Sequence, residues 1–422
     1  MRIAHLLRKF DPSEWGGTES AILQLTKDMA QHGVGSVVYA PRLAPGAEQA
    51  DPFAAAGCTL RRFRACVPIW GISPEQKRQM IAVGGNLISF DLAASLWSER
   101  DIEVIHSHAL GRLGAIGRVM ARAKRLPFVI SVHGGAYDLP EAVRMGLRQS
   151  AAGGWDWGRA LGLVLSARHL IDQADAIITL NPREAALIGE RHPGRRVLVE
   201  PHGIPTALFA SECRPAASEA FPELNGRSVL LILGRIDPIK NQKWLIAEAS
   251  ELARRHPRVL LVFVGPFVDR EYATAMRERI AREGLQDFVM LVGSLPFGDH
   301  RLIGLLQEAR AVILPSLSET FGIVILEAWA AGTPVISSRT SGAAALVDEG
   351  VNGLLFDLNR PATFHSAVDQ ILTQRELAAQ WGAAGRAKAI ARFDTSVRAD
   401  QMKCLYGELI EEKNALRHSS GR

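Results

Sequence analysis

Short runs of β-branched and aliphatic residues alternate along the chain with longer stretches in which apolar positions recur every three to four residues. In the first half, residues 2–6, 35–39, 103–106, 128–132, 176–179 and 197–200 read as buried strands. Helical stretches fall between them at 18–32, 111–124 and 160–173. The second half repeats the scheme, with strands at 229–233, 259–264, 288–292, 311–314 and 335–337 and helices at 244–255, 270–282, 321–331 and 361–373. Continuously apolar strands, each followed by a helix, predict an α/β chain built on parallel, doubly wound sheets. A late amphipathic stretch, 393–411, has no strand of its own to serve.

At 422 residues the chain exceeds one ordinary domain, and two units of roughly 200 residues are expected. Pro201-His202-Gly203-Ile204-Pro205 breaks the pattern, which sets domains at 1–206 and 207–392, with a terminal segment at 393–422. The short polar tail, residues 417–422, reads as frayed. There is no 18-residue uncharged apolar run to span a membrane, and the N-terminal apolar stretch is too short for a signal peptide. Cys58, Cys66, Cys213 and Cys404 lack metal spacing and fit buried thiols in a reducing cytosol. Residues 1–206 hold 24 Lys and Arg against 19 Asp and Glu, and the remainder is balanced, so the surplus of +5 lies in the first half. It is either an ordinary solvated surface or an attraction to an anionic membrane or an acidic ligand; Arg118, Arg122, Lys124 and Arg125 share one helical stretch. No dense basic run with interleaved aromatics points to nucleic acid.

In open parallel sheets ligands sit beyond the carboxyl ends of the strands, so the residues just after each strand carry the information. Gly16-Gly17-Thr18-Glu19 opens the first helix; adjacent glycines let a ligand approach the backbone, or simply make a tight turn. It is not GxGxxG, which disfavours a dinucleotide-dependent oxidoreductase. His133, with Gly134 and Gly135, ends one strand and His106 and His108 end another; without a carboxylate or cysteine at metal spacing, cleft-lining or structural roles are favoured over a metal. Arg235 and Lys240 share one strand-end loop, as a diphosphate receptor or a surface pair. Gly322 begins a helix whose bare N–H groups suit a phosphate. Glu319 precedes that helix. Glu327 lies among Ile325, Leu326, Ala328 and Trp329, where a carboxylate is costly without partners; ligand hydroxyls or a core salt bridge would supply them.

Glu319 and Glu327 form E-x7-E within S-E-T-F-G-I-V-I-L-E-A, and this resembles the family-4 retaining glycosyltransferases of the two-domain GT-B fold. Gly16-Gly17-Thr18-Glu19 is similar to that family's glycine loop, Ser131-Val132-His133-Gly134 to its strand-end histidine, and Gly234-Arg235 with Lys240 to its G-R-x4-K loop. Pro201-His202-Gly203-Ile204 resembles its interdomain turn, with His202 where asparagine is usual. The resemblance implies two facing Rossmann-like domains, the first for the acceptor and the second for the donor, with 393–411 crossing back onto the first. It implies that Arg235 and Lys240 clamp the donor diphosphate with backbone amides near Gly322, Ile323 and Val324. Glu327 would bind the ribose, Glu319 the donor sugar, and the backbone around Gly293-Ser294-Leu295 would edge the base. His133 would stabilise the transition state, and Gly17 would let the first domain close on the phosphate. Tyr137, Asp138, Trp155 and Trp157 lie on a long connection, 137–160, towards the acceptor side, where the tryptophans either contact a glycan or lipid carrier or pack ordinarily.

The expected activity is therefore metal-independent transfer from a nucleoside-diphosphate sugar to a glycan or lipid-linked glycan, with no cofactor, in bacterial surface or exopolysaccharide synthesis. It would take place in the cytoplasm, with peripheral membrane contact. The alternatives are a sugar-nucleotide 2-epimerase on the same fold and a non-catalytic nucleotide-sugar-binding subunit.

Overall fold

The computed structural model describes residues 1–9, 17–42, 51–83, 87–133, 135–138 and 155–419. Gly16, Gly134 and most of the 137–160 connection lie outside the described residues. The chain divides into two compact units, Met1–Gly203 with Thr395–Arg422, and Ile204–Asp394.

The first unit contains β1 (Arg2–Leu6), β2 (Gly35–Pro41), β3 (Thr59–Phe63), β4 (Ile69–Trp70), β5 (Val104–Ser107), β6 (Phe128–Val132), β7 (Trp155–Asp156), β8 (Ala176–Thr179) and β9 (Val197–Val199). Seven of these form a parallel sheet in the order β3-β2-β1-β5-β6-β8-β9, while β4 and β7 pair antiparallel. Successive side chains of a strand face opposite ways. Ala4 and Leu6 of β1, Ile105 of β5, and Phe128, Ile130 and Val132 of β6 join a core with Leu113 and Ile116 of helix Gly111–Lys124. Ile3, Val104 and Val129 face the other way, onto Ala399, Met402, Leu405, Tyr406 and Leu409 of the final helix, Thr395–Ser419. That helix therefore completes one face of the first unit's sheet. Full burial of an apolar side chain of this size is worth about 1.5–3 kcal/mol, so four or five of them hold the segment firmly.

The second unit contains β10 (Ser228–Leu233), β11 (Val259–Val264), β12 (Val289–Gly293), β13 (Ala311–Leu314), β14 (Val335–Ser338) and β15 (Gly353–Phe356), in the order β12-β11-β10-β13-β14-β15. Every described pairing in this sheet is parallel. The strand order reverses direction at β10/β13, the place where an open sheet of this kind opens a crevice.

Four expectations change. Of the four cysteines expected to be buried, Cys66 and Cys404 are exposed. The single helix over 160–173 is a short helix, Gly158–Val164, followed by 3₁₀ turns at Ala167–His169 and Ile171–Gln173. Ser166, at φ 50, stands in the left-handed region and breaks the helical run. The helix expected from residue 321 runs Ile323–Ala330, because Gly322 at φ 100 caps it instead of entering it. The last helix extends to Ser419, past the point where a frayed tail was expected.

Candidate functional site

The residues expected on the donor side converge at the carboxyl ends of β10 and β13. After β10 the chain turns through Gly234 and Arg235 to Asp237, which is buried and accepts the Lys240 N–H at 2.9 Å. Asp237 also takes the exposed Arg235 guanidinium at 3.1 Å. Lys240 reaches across to Glu319 and forms an ion pair with it. The loop carrying Glu319 is fastened on both sides. Leu317 N–H donates to Ile239 O at 2.8 Å, Asn241 Nδ2 to Pro315 O at 3.1 Å, and Gly342 N–H to Glu319 O at 2.8 Å. Gly342 is required there, since a Cβ would come within 2.6 Å of Glu319 O and of Phe321 N and O.

Helix Ile323–Ala330 has no side-chain cap. Its first turn, at the partly buried Ile323 and Val324, thus presents N–H groups and the positive end of the helix dipole on the same side as Lys240. Glu327 is 9 % exposed, and no described hydrogen bond or ion pair reaches its carboxylate. Burial pushes its carboxyl up to about 7. At neutral pH roughly half of this side chain is therefore charged, with no hydrogen-bond or ion-pair partner among the described residues. Gly293 (φ 83) ends β12, with Leu295 half-buried behind it. Gly265 accompanies it. Its N–H donates to Gly293 O at 2.7 Å, and a Cβ on it would fall 2.0 Å from Gly234 O. Arg235, Lys240, Glu319, Gly322, Ile323, Val324 and Glu327 are thus gathered by the fold of one unit.

The first unit holds a chain of four imidazoles. His5 Nδ1 lies 3.1 Å from His108 Nε2, His108 Nδ1 2.8 Å from His133 Nε2, and His133 Nδ1 3.2 Å from His202 Nε2. The rings stack at centroid spacings of 5.4, 5.0 and 5.0 Å. Burial lowers His5 and His202 to about 4; burial and then the neighbouring histidines hold His108 and His133 well below the usual histidine range. The rings are therefore neutral at pH 7, each with one donor and one acceptor, as a head-to-tail chain needs. Both His133 nitrogens are engaged, so a hydrogen bond from this ring to a sugar requires one of the links to open. His5, His106 and His108 have ligand atoms within 4.8 Å of one another, a metal-like spacing that the H-x-H pair alone did not reveal. His106, however, already bonds Tyr406 OH and Ser131 Oγ, each at 2.7 Å, and both His108 nitrogens lie in the chain.

Gly17 stands exposed at the first residue of helix Gly17–Gln31. Tyr137 and Asp138 are anchored. The buried Glu184 carboxylate accepts the N–H groups of Ala136, Tyr137 and Asp138 at 2.7–3.0 Å. Tyr137 OH meets His192 at 2.8 Å, and Asp138 pairs with Arg183 at 2.9 Å. Trp155 is 64 % exposed and packs on Trp70 at 5.1 Å; Trp157 lies 6.5 Å from Trp70. Sequence reasoning missed Asp237, Gly265, Gly342 and the part played by His5 and His202. Asp237 was legible in principle, as an aspartate three residues before the N–H it caps.

A sequence-family model described as "Glycosyl transferase 4-like domain" matches residues 16–203, and one described as "Glycosyl transferases group 1" matches residues 214–388. The chain is 28% identical to D-inositol 3-phosphate glycosyltransferase 2 of Catenulispora acidiphila, over 96% of this chain and 92% of that protein. It is 33% identical to the D-inositol 3-phosphate glycosyltransferase of Frankia alni, over 68% of this chain and 70% of that one. Among solved structures, Anabaena HepE in complex with UDP and glucose superposes with TM-score 0.72 at 19% identity, over 97% of this chain and 100% of that one. Sucrose-phosphate synthase from Thermosynechococcus elongatus gives 0.73 at 21% identity, over 97% and 99%. These two likenesses bear on the fold.

Proposed function

Because the chain belongs to the group 1 glycosyl transferases, and so is a glycosyltransferase working with a nucleotide sugar, we propose that its second unit binds the donor nucleoside diphosphate and that transfer proceeds with retention and without a bound metal. The observation that carries this reading is that Arg235, through Asp237, and Lys240, through Glu319, stand beside an uncapped helix start, with Glu327 further along that helix and without a partner among the described residues. Departure of a nucleoside diphosphate builds negative charge, and fixed cations with a helix N-terminus stabilise it in place of a metal. Glu327 binds the ribose hydroxyls and Glu319 those of the sugar. The sugar becomes oxocarbenium-like. The acceptor hydroxyl attacks from the face that the diphosphate leaves and passes its proton to a phosphate oxygen, so no enzymic nucleophile is assigned. His133 is assigned to stabilising the reacting sugar.

We take UDP as the nucleotide to test first, because the neighbour HepE binds UDP. The acceptor is proposed to be a glycan or lipid-linked glycan. A second reading, a phosphorylated cyclic polyol, is favoured by the names of the relatives. Nucleotide release from UDP-, GDP- and ADP-sugars, with oligosaccharide or D-inositol 3-phosphate as acceptor, separates the readings. The anomeric coupling of the product reports retention. Sugar interconversion without an acceptor would indicate an epimerase, and binding of the nucleotide sugar with no turnover on any acceptor a non-catalytic subunit; either result would overturn the proposal.

No helix of the described residues is long and apolar enough to cross a membrane. We propose a cytoplasmic enzyme whose first unit touches anionic membrane through the exposed Arg122 and Arg125. The Lys124 ammonium donates to the carbonyls of Leu96 and Trp97 at 3.0 and 3.3 Å, so it adds its charge to this face with its N–H groups already engaged. Cosedimentation with anionic vesicles that is absent at low salt would remove this part.

A further inference from the structure

A cavity of about 710 Å³ opens in the first unit between the carboxyl-terminal ends of helices Gly111–Lys124 and Thr395–Ser419. Phe128, the first residue of β6, lines it. It therefore sits at the amino edge of the sheet, whereas His133 follows the carboxyl end of the same strand. Parallel sheets bind substrates at the carboxyl edge, so this cavity is separate from the glycosyl-transfer chemistry.

Its charge is one-sided. Arg118, Arg122, Arg125, Lys413 and Arg417 line it against a single carboxylate, Asp175. Asp175 is already occupied, accepting the Phe128 N–H and the Lys413 ammonium at 2.8 Å each. Among the described residues none of the four arginines has a carboxylate partner. Cations at the ends of two helices complement their dipoles, and this accounts for Arg417, which donates to the carbonyls of Lys124 and Arg125. It does not account for Arg118, which lies mid-helix. One Arg118 nitrogen is held by Leu165 O at 3.2 Å, while its Nε is buried without a partner. Burial, and then the Arg122 charge, lower its pKa from the usual guanidinium value. Phe128, Leu126 and Leu416 give the same cavity an apolar wall.

We propose that this cavity is a second binding site, taking a phosphate group that carries a hydrocarbon or aromatic portion. The arginine forks match phosphate oxygens bidentately, and the apolar wall takes the attached group. The volume lies within the range of small-molecule sites, about 300–1,000 Å³. Such a phosphate has two sources, the headgroup of a membrane lipid and a free organic phosphate.

The test uses the full chain, with hexyl phosphate and inorganic phosphate as probes in low-salt calorimetry, and Arg118→Gln and Arg122→Glu as variants. Neither residue belongs to the donor machinery, and an unchanged melting transition of the first unit certifies the fold of each variant independently of the cavity. Expected are one saturable site for hexyl phosphate, at least tenfold weaker binding of inorganic phosphate, and at least tenfold loss in either variant. Vesicles of phosphatidylglycerol that displace hexyl phosphate identify the headgroup as the source; hexyl phosphate binding that such vesicles leave untouched identifies a free phosphate. Absence of saturable binding, or equal affinity in wild type and Arg122→Glu, overturns the proposal.

Discussion

Glu327→Gln should make the protein more stable at pH 8 while removing its response to nucleotide. The wild-type carboxyl is pushed from 4.5 up to about 7 by burial. An acid with a raised folded value favours the protonated form, so the folded chain holds more protons than the unfolded one between these values. Its stability contribution is complete below pH 4.5 and is lost as pH rises through 7. The full loss is about 3 kcal/mol, at 1.36 kcal/mol per unit. Glutamine has the same shape and cannot ionise. Wild type and variant should therefore unfold together near pH 5 and diverge by pH 8. For a unit of this size each kcal/mol moves the midpoint by about 2–4 °C, so the variant's second unit should melt roughly 6–12 °C higher at pH 8. UDP at a hundredfold excess over its dissociation constant should add about 2.7 kcal/mol to wild type and far less to the variant, whose amide replaces the carboxylate proposed to meet the ribose. The assay is thermal unfolding from pH 5 to 8, with and without UDP. A difference between the proteins that does not change with pH would refute the titration argument. Full UDP stabilisation of Glu327→Gln would refute the ribose assignment.

Arg235→Ala and Lys240→Ala should each lower kcat/KM on the order of ten- to a hundredfold, the value of one charge-assisted bond, with thermal stability nearly unchanged; near-normal efficiency in both would remove the diphosphate clamp. Turnover should persist in excess chelator, and complete loss restored by Mg²⁺ or Mn²⁺ would overturn the metal-free mechanism. The first unit should respond to acid in the opposite direction from the second. His5 and His202 are held neutral, at about 4 against 6.5, so the stability they contribute is complete above pH 6.5 and lost as pH falls towards 4. Replacing His5 with phenylalanine should reduce that acid sensitivity, and an unchanged pH dependence of the first unit's melting would refute it.

What could be read from the sequence follows from where burial is two-sided. Val259–Val264 is buried at every position and announced itself as a continuous apolar run. Thr59–Phe63 lies at the sheet edge, and Arg61 and Arg62 interrupt its pattern, so it was missed. Helix Pro182–Arg191 was also missed, although Asn181 caps it and Pro182 opens it, a signal that was there to read. Glu327 was legible because a carboxylate in an apolar helix contradicts its surroundings. The Lys240–Glu319 pair was not, because tertiary structure alone joins residues so far apart in sequence. Gly342 and Gly265 were invisible for a related reason: their need for a bare Cα arises from another loop pressing against them. His5 read as an ordinary strand residue until the β1/β5 register set it opposite His106.

The Lys240–Glu319 pair also bears on how binding turns into catalysis. Lys240 already neutralises one carboxylate, and in the proposed mechanism a donor exchanges partners with it, diphosphate for Glu319 on the ammonium and sugar hydroxyls for Lys240 on the carboxylate. An exchange of this kind contributes little in the ground state. It contributes more as the glycosidic bond breaks and the leaving diphosphate gains charge that Glu319 never carried, and only such differential stabilisation accelerates the chemical step. Glu319→Gln should then separate the two effects. With its internal partner gone, Lys240 is released to the phosphates, and free UDP should bind at least as tightly as to wild type. Transfer should slow, because the sugar has lost its charged acceptor. Titration with UDP alone, followed by turnover with the full donor, reads both quantities. Loss of UDP affinity equal to that of Glu327→Gln would show that Glu319 serves the nucleotide and not the sugar, and the division of labour between the two glutamates would fall.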